Sequence, residues 1–451
     1  MSKLKSYWNN LLPEWRFAIA AFVTARLILS LWSLVVYTMF PVAQQNLDLF
    51  GDPLLTVFNL QTGQRYVYSR VVDGSVLTFR AIDSQHVIDE QTNSVWSIQN
   101  GNAISGSYAG RILAISSHSA DEIFPYLGVT PAKNILLSVW QRFDANWYLK
   151  IAARGYDGSD GSTVYFPVYP LLIWIFSWIM DPLFAAMLIS NLALIGVLVL
   201  SYRLFSKFVD VATTRRALIY FLLFPTSFFL LGAYTESLFL LFTIGSLYSA
   251  SRGRWTWAAL WGICAALTRL QGVLVVVPLA YMLWHEKHSW KEFVLRGLPL
   301  ALIPIATLSF LAYSSLSLLN TYQGTLNARF VFPWQNIWAA VSVLLRGQGA
   351  IVDALNLIIT LGSIAILFVI GKKLPFEYTS YSLLMLLAPL FRMTTTQPLV
   401  SMMRYAVVIF PIFIIVGMWG KNPWVNRLIL YTSVLLQLYL SAQFILWGWV
   451  A

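Results

Sequence analysis

The sequence predicts an all-α polytopic membrane protein with about eleven transmembrane helices and a small β-rich extracytoplasmic insert. Of its 451 residues, 58% are hydrophobic and only 11% are charged, whereas soluble domains have about 25% charged residues. Runs of roughly 20 apolar residues, the length that crosses a bilayer as a helix, recur from Phe17 onward. Most of the chain is therefore expected to lie in lipid.

The first segment, residues 1–40, is predicted to be a cytoplasmic tail followed by an uncleaved transmembrane helix. Its apolar stretch runs from Phe17 to Phe40, which is longer than the roughly 7 to 15 residues of a signal-peptide core.

The second segment, residues 41–135, is predicted to be the β-rich insert outside the membrane, because it is polar from Pro41 to Lys133. Turn signals stand at Asp73-Gly74 and Gly101-Asn102. The alternating or β-branched runs that predict strands are Leu54–Asn59, Tyr66–Val72, Ser75–Ile82 and Ser94–Ile98. Inert packing and acceptor binding both stay open as roles for this insert.

Residues 136–182 are predicted to form juxtamembrane catalytic loop helices, and residues 183–451 the remaining transmembrane bundle. Tyr165 to Met180 is apolar but short, with Pro167 and Pro170 near its start, which favours a juxtamembrane or re-entrant helix. The predicted spans are 17–40, 183–203, 214–232, 235–250, 255–269, 271–285, 296–317, 350–371, 378–392, 399–418 and 425–448.

The distribution of charged residues along the chain fits a membrane topology better than a nucleic-acid-binding surface. The net charge is +11, but the basic residues stand between apolar runs and form no continuous stripe. Clusters such as Arg203 to Arg216 and Lys287 to Arg296 all fall on the side of the N-terminus, which the positive-inside rule makes cytoplasmic. We therefore expect membrane lipids as partners and no nucleic acid.

No cofactor or metal is predicted. The sequence contains neither a P-loop nor a dinucleotide glycine fingerprint. The acidic run from Asp157 to Ser162 lacks the alternating ligands and closing Glu of a calcium loop. His285 and His288 stand among lysines, which favours a solvated loop, and the single cysteine, Cys264, permits no intrachain disulfide.

The densest polar and aromatic block outside the insert runs from Trp140 to Pro170. On a helix, Phe143, Trp147 and Ile151 with Ala152 recur on one face, which suits a helix that lies on the membrane surface. Asp144, Tyr148 and Arg142 would line a different side.

Asp144 is the candidate general base, because an ionised carboxylate at the water–lipid boundary can accept a proton from a substrate hydroxyl. The ordinary alternative is a surface ion pair of Asp144 with Arg142 or Lys150. The residues alone leave these two readings open.

Further ionisable residues are predicted near the same outer face. Glu236, Arg269, Gln271 and Arg392 stand at ends of apolar runs, and Arg404 lies a few residues inside one. Guanidinium forks match phosphoryl oxygens, so these arginines could bind the phosphate of a lipid-linked substrate. Snorkelling to headgroups or pairing along the helix is the alternative for each.

Four elements of the sequence, in order, resemble the PIG-V family of mannosyltransferases, the GPI mannosyltransferase 2-like enzymes. They are FDA at Phe143 with Tyr148, IA at Ile151, GY at Gly155 and YFPVYP at Tyr165; FPTSFFLLGAYTESLF from Phe224; TRLQG at Thr268; and RYAVVIFP from Arg404.

The resemblance implies a GT-C type glycosyltransferase that moves a sugar, mannose by family, from a polyprenyl-phosphate carrier to a lipid-linked or glycan acceptor with inversion. It suggests a bacterial homologue in the plasma membrane, or the ER membrane of a eukaryote, with the active site outside the cytoplasm. Asp144 matches the expected base of the first outer loop. We expect donor phosphate at Arg269, Arg404 and Arg392, further substrate contacts at Glu236, Tyr148, Arg142, Gln271 and Tyr405, and no metal.

Two other functions share some of these features. A transporter or flippase of lipid-linked sugars would also have apolar spans and intramembrane arginines, but it predicts helices broken at midplane and an internal repeat. A non-catalytic scaffold that displays the insert would leave Asp144 solvated and facing no cavity.

Overall fold

The computed structural model describes residues 8, 10–49, 51–286, 289–314, 328–394 and 397–450. These residues are mostly helical and form a few small sheets, as the sequence predicts. By packing, the chain divides into a helical unit, within 8–29, 147–440 and 450, and an insert unit, 30–146 and 441–449. The four segments predicted above divide the chain by composition and not by packing, and they stay a prediction.

The insert unit contains the predicted β structure. Its strands are β1 (Val42–Leu49), β2 (Asp52–Asn59), β3 (Arg65–Ser69), β4 (Val71–Val72), β5 (Ser75–Val76), β6 (Phe79–Ala81), β7 (His86–Asp89), β8 (Val95–Ser97) and β9 (Ala103–Ser105). All pairings in the insert sheets are antiparallel, in the orders β1-β2-β3, β4-β5 and β6-β7-β8-β9.

Local sequence explains the hairpins of the insert. Asp73 and Gly74 have φ angles of 47° and 79°, the left-handed pair that a two-residue hairpin turn requires, and they join β4 to β5 as predicted. Trp96 and Phe79 anchor the core, at 0% and 2% exposure. Strand β1 was not predicted, because its polar residues hide the alternation that marks a half-buried strand.

The helices are listed here in chain order. They are α1 (Pro13–Met39), α2 (Ala120–Ile123), α3 (Ile135–Ser138), α4 (Asp144–Arg154), α5 (Val168–Phe176), α6 (Pro182–Phe205), α7 (Val211–Leu223), α8 (Glu236–Ala250), α9 (Trp255–Ala266), α10 (Val276–His285), α11 (Trp290–Gly297), α12 (Leu302–Tyr313), α13 (Pro333–Leu345), α14 (Ile351–Lys373), α15 (Phe376–Leu390), α16 (Met402–Val407), α17 (Pro411–Trp419) and α18 (Pro423–Ile445). A further strand pair joins β10 (Ala328–Phe330) to β11 (Arg392–Thr394).

Among the described residues, five helical stretches are long and apolar enough to cross a membrane: α1, α6, α11 with α12, α14 and α18. They are compatible with a membrane protein, whereas the count of about eleven spans stays a prediction. Other predicted spans contain shorter helices. The run 214–232 contains α7 and then non-helical backbone around Pro225, and 399–418 is divided between α16 and α17 at Pro411, because proline lacks the amide hydrogen that continues a helix.

The apolar stretch from Tyr165 to Met180 contains only α5, which has nine residues. At about 1.5 Å per residue, such a helix is too short to cross a bilayer. The predicted basic residue Lys287 and the predicted loop residue His288 lie outside the described residues.

Candidate active site

Asp144 is the first residue of α4, where a carboxylate is stabilised by the positive end of the helix dipole. It is half-buried. The preceding Phe143 has a φ of 47°, a conformation that costs a bulky residue about 1–3 kcal/mol and often marks a functional turn. Its ring contacts Trp447 and Trp449 at 5.4 and 5.1 Å between centroids. These contacts hold the turn that presents Asp144.

Arg142 is 2% exposed. Its guanidinium donates hydrogen bonds to the carbonyl oxygens of Ser138 and Ile445, at 2.7 and 3.0 Å, and lies 4.7 Å from the centroid of the Trp447 ring. These contacts tie the chain before α4 to the chain after α18. A substrate-binding role for Arg142 stays a prediction beside this observed packing role.

Lys150, the other predicted partner of Asp144, donates to Asp160 at 2.6 Å. Burial alone would raise the pKa of Asp160, but hydrogen bonds from Lys150 and from the backbone and side chain of Ser162 outweigh it and lower the pKa. The Lys150 ammonium is thus engaged with the loop that follows α4.

Three predicted site residues from distant parts of the chain converge in the helical unit. Glu236 opens α8 and has no exposed surface. Its Oε1 accepts hydrogen bonds from Nη1 of Arg269, at 2.5 Å, and from Nε of Arg404. Its Oε2 is buried and has no hydrogen-bond partner among the described residues. We call these three residues the Glu236 cluster.

Aromatic rings hold both guanidinium groups of the cluster. The Arg404 guanidinium lies 4.7 Å from the ring centroid of Tyr234 and 5.0 Å from that of Phe229. The Arg269 guanidinium lies 5.5 Å from the ring centroid of Tyr405. Cation–π contacts gain strength when water is excluded, so both planar groups are fixed in a largely dry environment.

The Glu236 cluster combines two guanidinium groups with one carboxylate. The side chains of Arg269, Arg404 and Glu236 are 12%, 9% and 0% exposed. Because buried charges are screened much less than exposed ones, electrostatic interactions are strong at this site.

Tyr148 adjoins the cluster through Thr235, the residue before Glu236. The two hydroxyl groups share a hydrogen bond of 3.3 Å, and the Tyr148 ring packs edge-on against Tyr165 and Tyr169. Both of these tyrosines belong to the YFPVYP motif, so the motif packs against Tyr148.

Gln271 and Arg392 are each half-buried in other elements of the helical unit. Gln271 lies in the 3₁₀-helix Leu270–Val275, two residues after Arg269. Arg392 begins β11, opposite Phe330. Their roles in substrate binding stay predictions.

The described residues contain no group of three or more His, Cys, Asp or Glu side chains that could hold a metal ion. In the Glu236 cluster, two cations share one carboxylate.

A comparison with protein families gives a match of residues 122–323 to the mannosyltransferase (PIG-V) model. This match supports the assignment of the chain to the PIG-V family. No curated protein and no solved structure matches the chain. The family match supports a glycosyltransferase, and it confirms the resemblance that the sequence motifs indicate.

The PIG-V match contains Asp144, Glu236 and Arg269 but ends before Arg404. The place of Arg404 therefore depends on the structure, in which it shares the Glu236 carboxylate with Arg269. Arg269 lies inside the matched region and Arg404 outside it, and both donate to the Glu236 carboxylate.

Asn356 and Asn336, which sequence analysis did not single out, hold the segment that carries Arg404. Leu399 and Ser401, just before α16, have left-handed φ angles of 52° and 65°. The side-chain oxygen of Asn356 accepts from the Met403 amide at 3.0 Å, and that of Asn336 accepts from the Leu399 amide at 2.8 Å. An amide side chain inside an apolar run was the available signal.

Arg26 is a third residue that sequence analysis missed. It lies inside the candidate span α1 and donates to the carbonyl oxygen of Leu231 at 3.1 Å. Asn191 also donates to this oxygen, at 3.3 Å. Leu231 belongs to the non-helical backbone that leads to Glu236. A charged residue within an apolar span is expensive and usually functional, and here it satisfies backbone that has no helical partner.

Proposed function

We propose that this PIG-V protein is a membrane glycosyltransferase that moves mannose from a polyprenyl-phosphate carrier to an extracytoplasmic lipid or glycan acceptor, with inversion at the anomeric carbon. The observation that carries the proposal is the Glu236 cluster, a buried site in which two guanidinium groups meet one carboxylate. The family match supports the mannosyl group. A multi-pass location, with the active site outside the cytoplasm, follows the predicted topology.

The composition of the cluster suits an anionic carrier. A lipid-phosphate sugar is a phosphodiester with one negative charge, and its phosphoryl oxygens match the planar donor forks of Arg269 and Arg404.

In the proposed reaction, Arg269 and Arg404 stabilise the leaving group. The bond between the anomeric carbon and the phosphate oxygen breaks, its electron pair stays on the phosphate, and the lipid phosphate gains a second negative charge. Preorganised donors act most strongly where charge develops. In the geometry of the cluster, each arginine gives one N–H to Glu236.

Asp144 is the proposed general base. It takes the proton of the acceptor hydroxyl while the acceptor oxygen bonds to the anomeric carbon on the face opposite the phosphate. Asp144 is half-buried at the start of a helix, and the role requires a carboxylate within reach of the acceptor hydroxyl. Because the leaving phosphate is neutralised by arginines, the reaction has no obligatory task for a metal.

The test is transfer of labelled mannose from polyprenyl-phosphate mannose by purified full-length protein. We expect Asp144→Asn to abolish transfer while donor binding is retained, and Arg404→Ala to weaken donor binding. Asp181→Asn is a matched control, since Asp181 also begins a helix, as the N-cap of α6, and Asn caps equally well. Full turnover by the Asp144→Asn variant would contradict the assignment of Asp144 as the base. Unchanged donor affinity in the Arg404→Ala variant would contradict the assignment of Arg404 to phosphate binding.

The same assay separates transfer from transport. A flippase of lipid-linked sugars would move the labelled donor across the bilayer of a proteoliposome with its sugar–phosphate bond intact. Recovery of intact donor in the opposite leaflet, with no labelled acceptor from any candidate tested, would favour that function.

A further inference from the structure

The start of α1 meets the end of α6, and both helices are candidate membrane spans. Oε1 of Glu14, in the first turn of α1, lies 2.9 Å from Nη2 of Arg203, in the last turn of α6. Trp8 and Trp15 are exposed nearby in the sequence, at 39% and 38%, as rings at headgroup level are. This end of the two spans is therefore expected at one membrane boundary.

A groove of about 350 Å³ opens at this level. It is lined by Pro13, Arg16, Phe17 and Arg215. Arg16 and Phe17 come from the first turns of α1, and Arg215 comes from the start of α7. Two cations and an aromatic ring from different helices therefore share one cavity.

The acids around the groove are engaged by other cations. Glu14 pairs with Arg203, and Asp210, just before α7, pairs with Lys421 at 3.0 Å. Arg216, beside Arg215, donates to the Gly417 carbonyl oxygen at 3.1 Å. The surroundings thus offer no spare carboxylate to the groove among the residues the structure describes.

The two groove arginines have no acidic partner in the described part of the chain. Arg215 makes a cation–π contact with Phe17, at 6.0 Å to the ring centroid. Nε of Arg16 is buried with no hydrogen-bond partner. A buried donor that is left unpaired is costly, so an acceptor that enters the groove and pairs with it would be stabilised.

We propose that this groove binds the phosphate of an anionic phospholipid headgroup. The guanidinium groups of Arg16 and Arg215 would donate to its phosphoryl oxygens, since their planar forks match that geometry. Phe17 and Pro13 would contact the first methylene groups of the acyl chains. A lipid is favoured over a free phosphate because the groove lies where two candidate spans end. An anionic lipid is favoured over a zwitterionic one because the two arginines would repel a choline group.

The test is a titration of the delipidated full-length protein with dioctanoyl phosphatidylglycerol, read by native mass spectrometry. Parallel titrations use dioctanoyl phosphatidylcholine and inorganic phosphate. We expect the wild-type protein to bind phosphatidylglycerol more tightly than either. Because each cation near a membrane surface contributes about 1 kcal/mol to anionic lipid binding, Arg16→Gln and Arg215→Gln should each weaken binding about fivefold, and both together about 30-fold.

Arg427→Gln is the matched control. Arg427 also lies over an aromatic ring, Trp424, at 5.3 Å, near the start of the candidate span α18, but it lines no part of the groove. The affinity of the Arg427→Gln variant for phosphatidylglycerol should equal that of the wild type. Arg215 is exposed, so the Arg215→Gln variant alone can carry the test should Arg16→Gln fail to fold.

Unchanged phosphatidylglycerol affinity in Arg215→Gln overturns the proposed site. Equal affinity for phosphatidylcholine overturns its anionic selectivity. Inorganic phosphate that binds the groove as tightly as phosphatidylglycerol overturns the lipid assignment.

Discussion

Replacing Glu236 with Gln should destabilise the protein more than the loss of any exposed ion pair. The Gln side chain is nearly isosteric and keeps an oxygen that can accept from Arg269 and Arg404. It removes the negative charge, however, and leaves two buried guanidinium groups with a net charge of +2. Removing one partner of a buried ion pair costs about 3–5 kcal/mol, and because the acceptor oxygen remains we expect about 3.

Glu286→Gln is the matched control for this substitution. Glu286 pairs with Arg296 at 3.4 Å, with side chains 34% and 39% exposed, and such surface pairs contribute at most about 1 kcal/mol. Free energies of unfolding would be measured by denaturant titration in neutral detergent. A loss in Glu236→Gln no greater than that in Glu286→Gln would refute the electrostatic reasoning.

A ligand gives this prediction a second, independent readout. A short-chain prenyl phosphate supplies the negative charge that Glu236→Gln lacks, so it should raise the thermal stability of this variant more than that of the wild type. If the wild type is stabilised as much as the variant, the cluster is not the phosphate site.

Three further outcomes are expected. In Gly272→Ala, the new Cβ would lie 2.1 Å from the carbonyl oxygen of Ala265, so the backbone must shift and we expect a loss of about 1–3 kcal/mol in denaturant titration. Asp89→Asn should cost the insert about 1–3 kcal/mol through lost hydrogen bonds; hydrogen exchange of the β7–β8 hairpin in the full-length protein that stays at the wild-type rate would contradict this. The pKa of His118 is raised, first by its hydrogen bond to Glu122. Its contribution to the free energy of unfolding should therefore be complete below about pH 6.5 and be lost as the pH rises through the raised pKa. An NMR titration of the His118 ring that gives an ordinary pKa would contradict this expectation.

The sequence predicted the insert well because hairpin turns are local. Asp73 and Gly74 require left-handed backbone wherever they join two strands, and the structure has it there. It predicted apolar stretches equally well, but not where helices end inside them. Pro225 and Pro411 divide predicted spans into shorter helices, and backbone left without a helical partner is satisfied by distant side chains such as Gln437, which donates to the Leu222 carbonyl oxygen at 2.8 Å.

Composition and apolar periodicity by themselves determined the lipid-soluble character of the chain, the polar insert, and the block around Asp144. They also supplied Glu236, Arg269 and Arg404 as separate candidates. Only the tertiary structure decided that these three meet on one carboxylate oxygen, because the partners are 33 and 168 residues away from Glu236. Local patterns record which face of a helix is apolar; they do not record which buried charges from distant helices compensate each other.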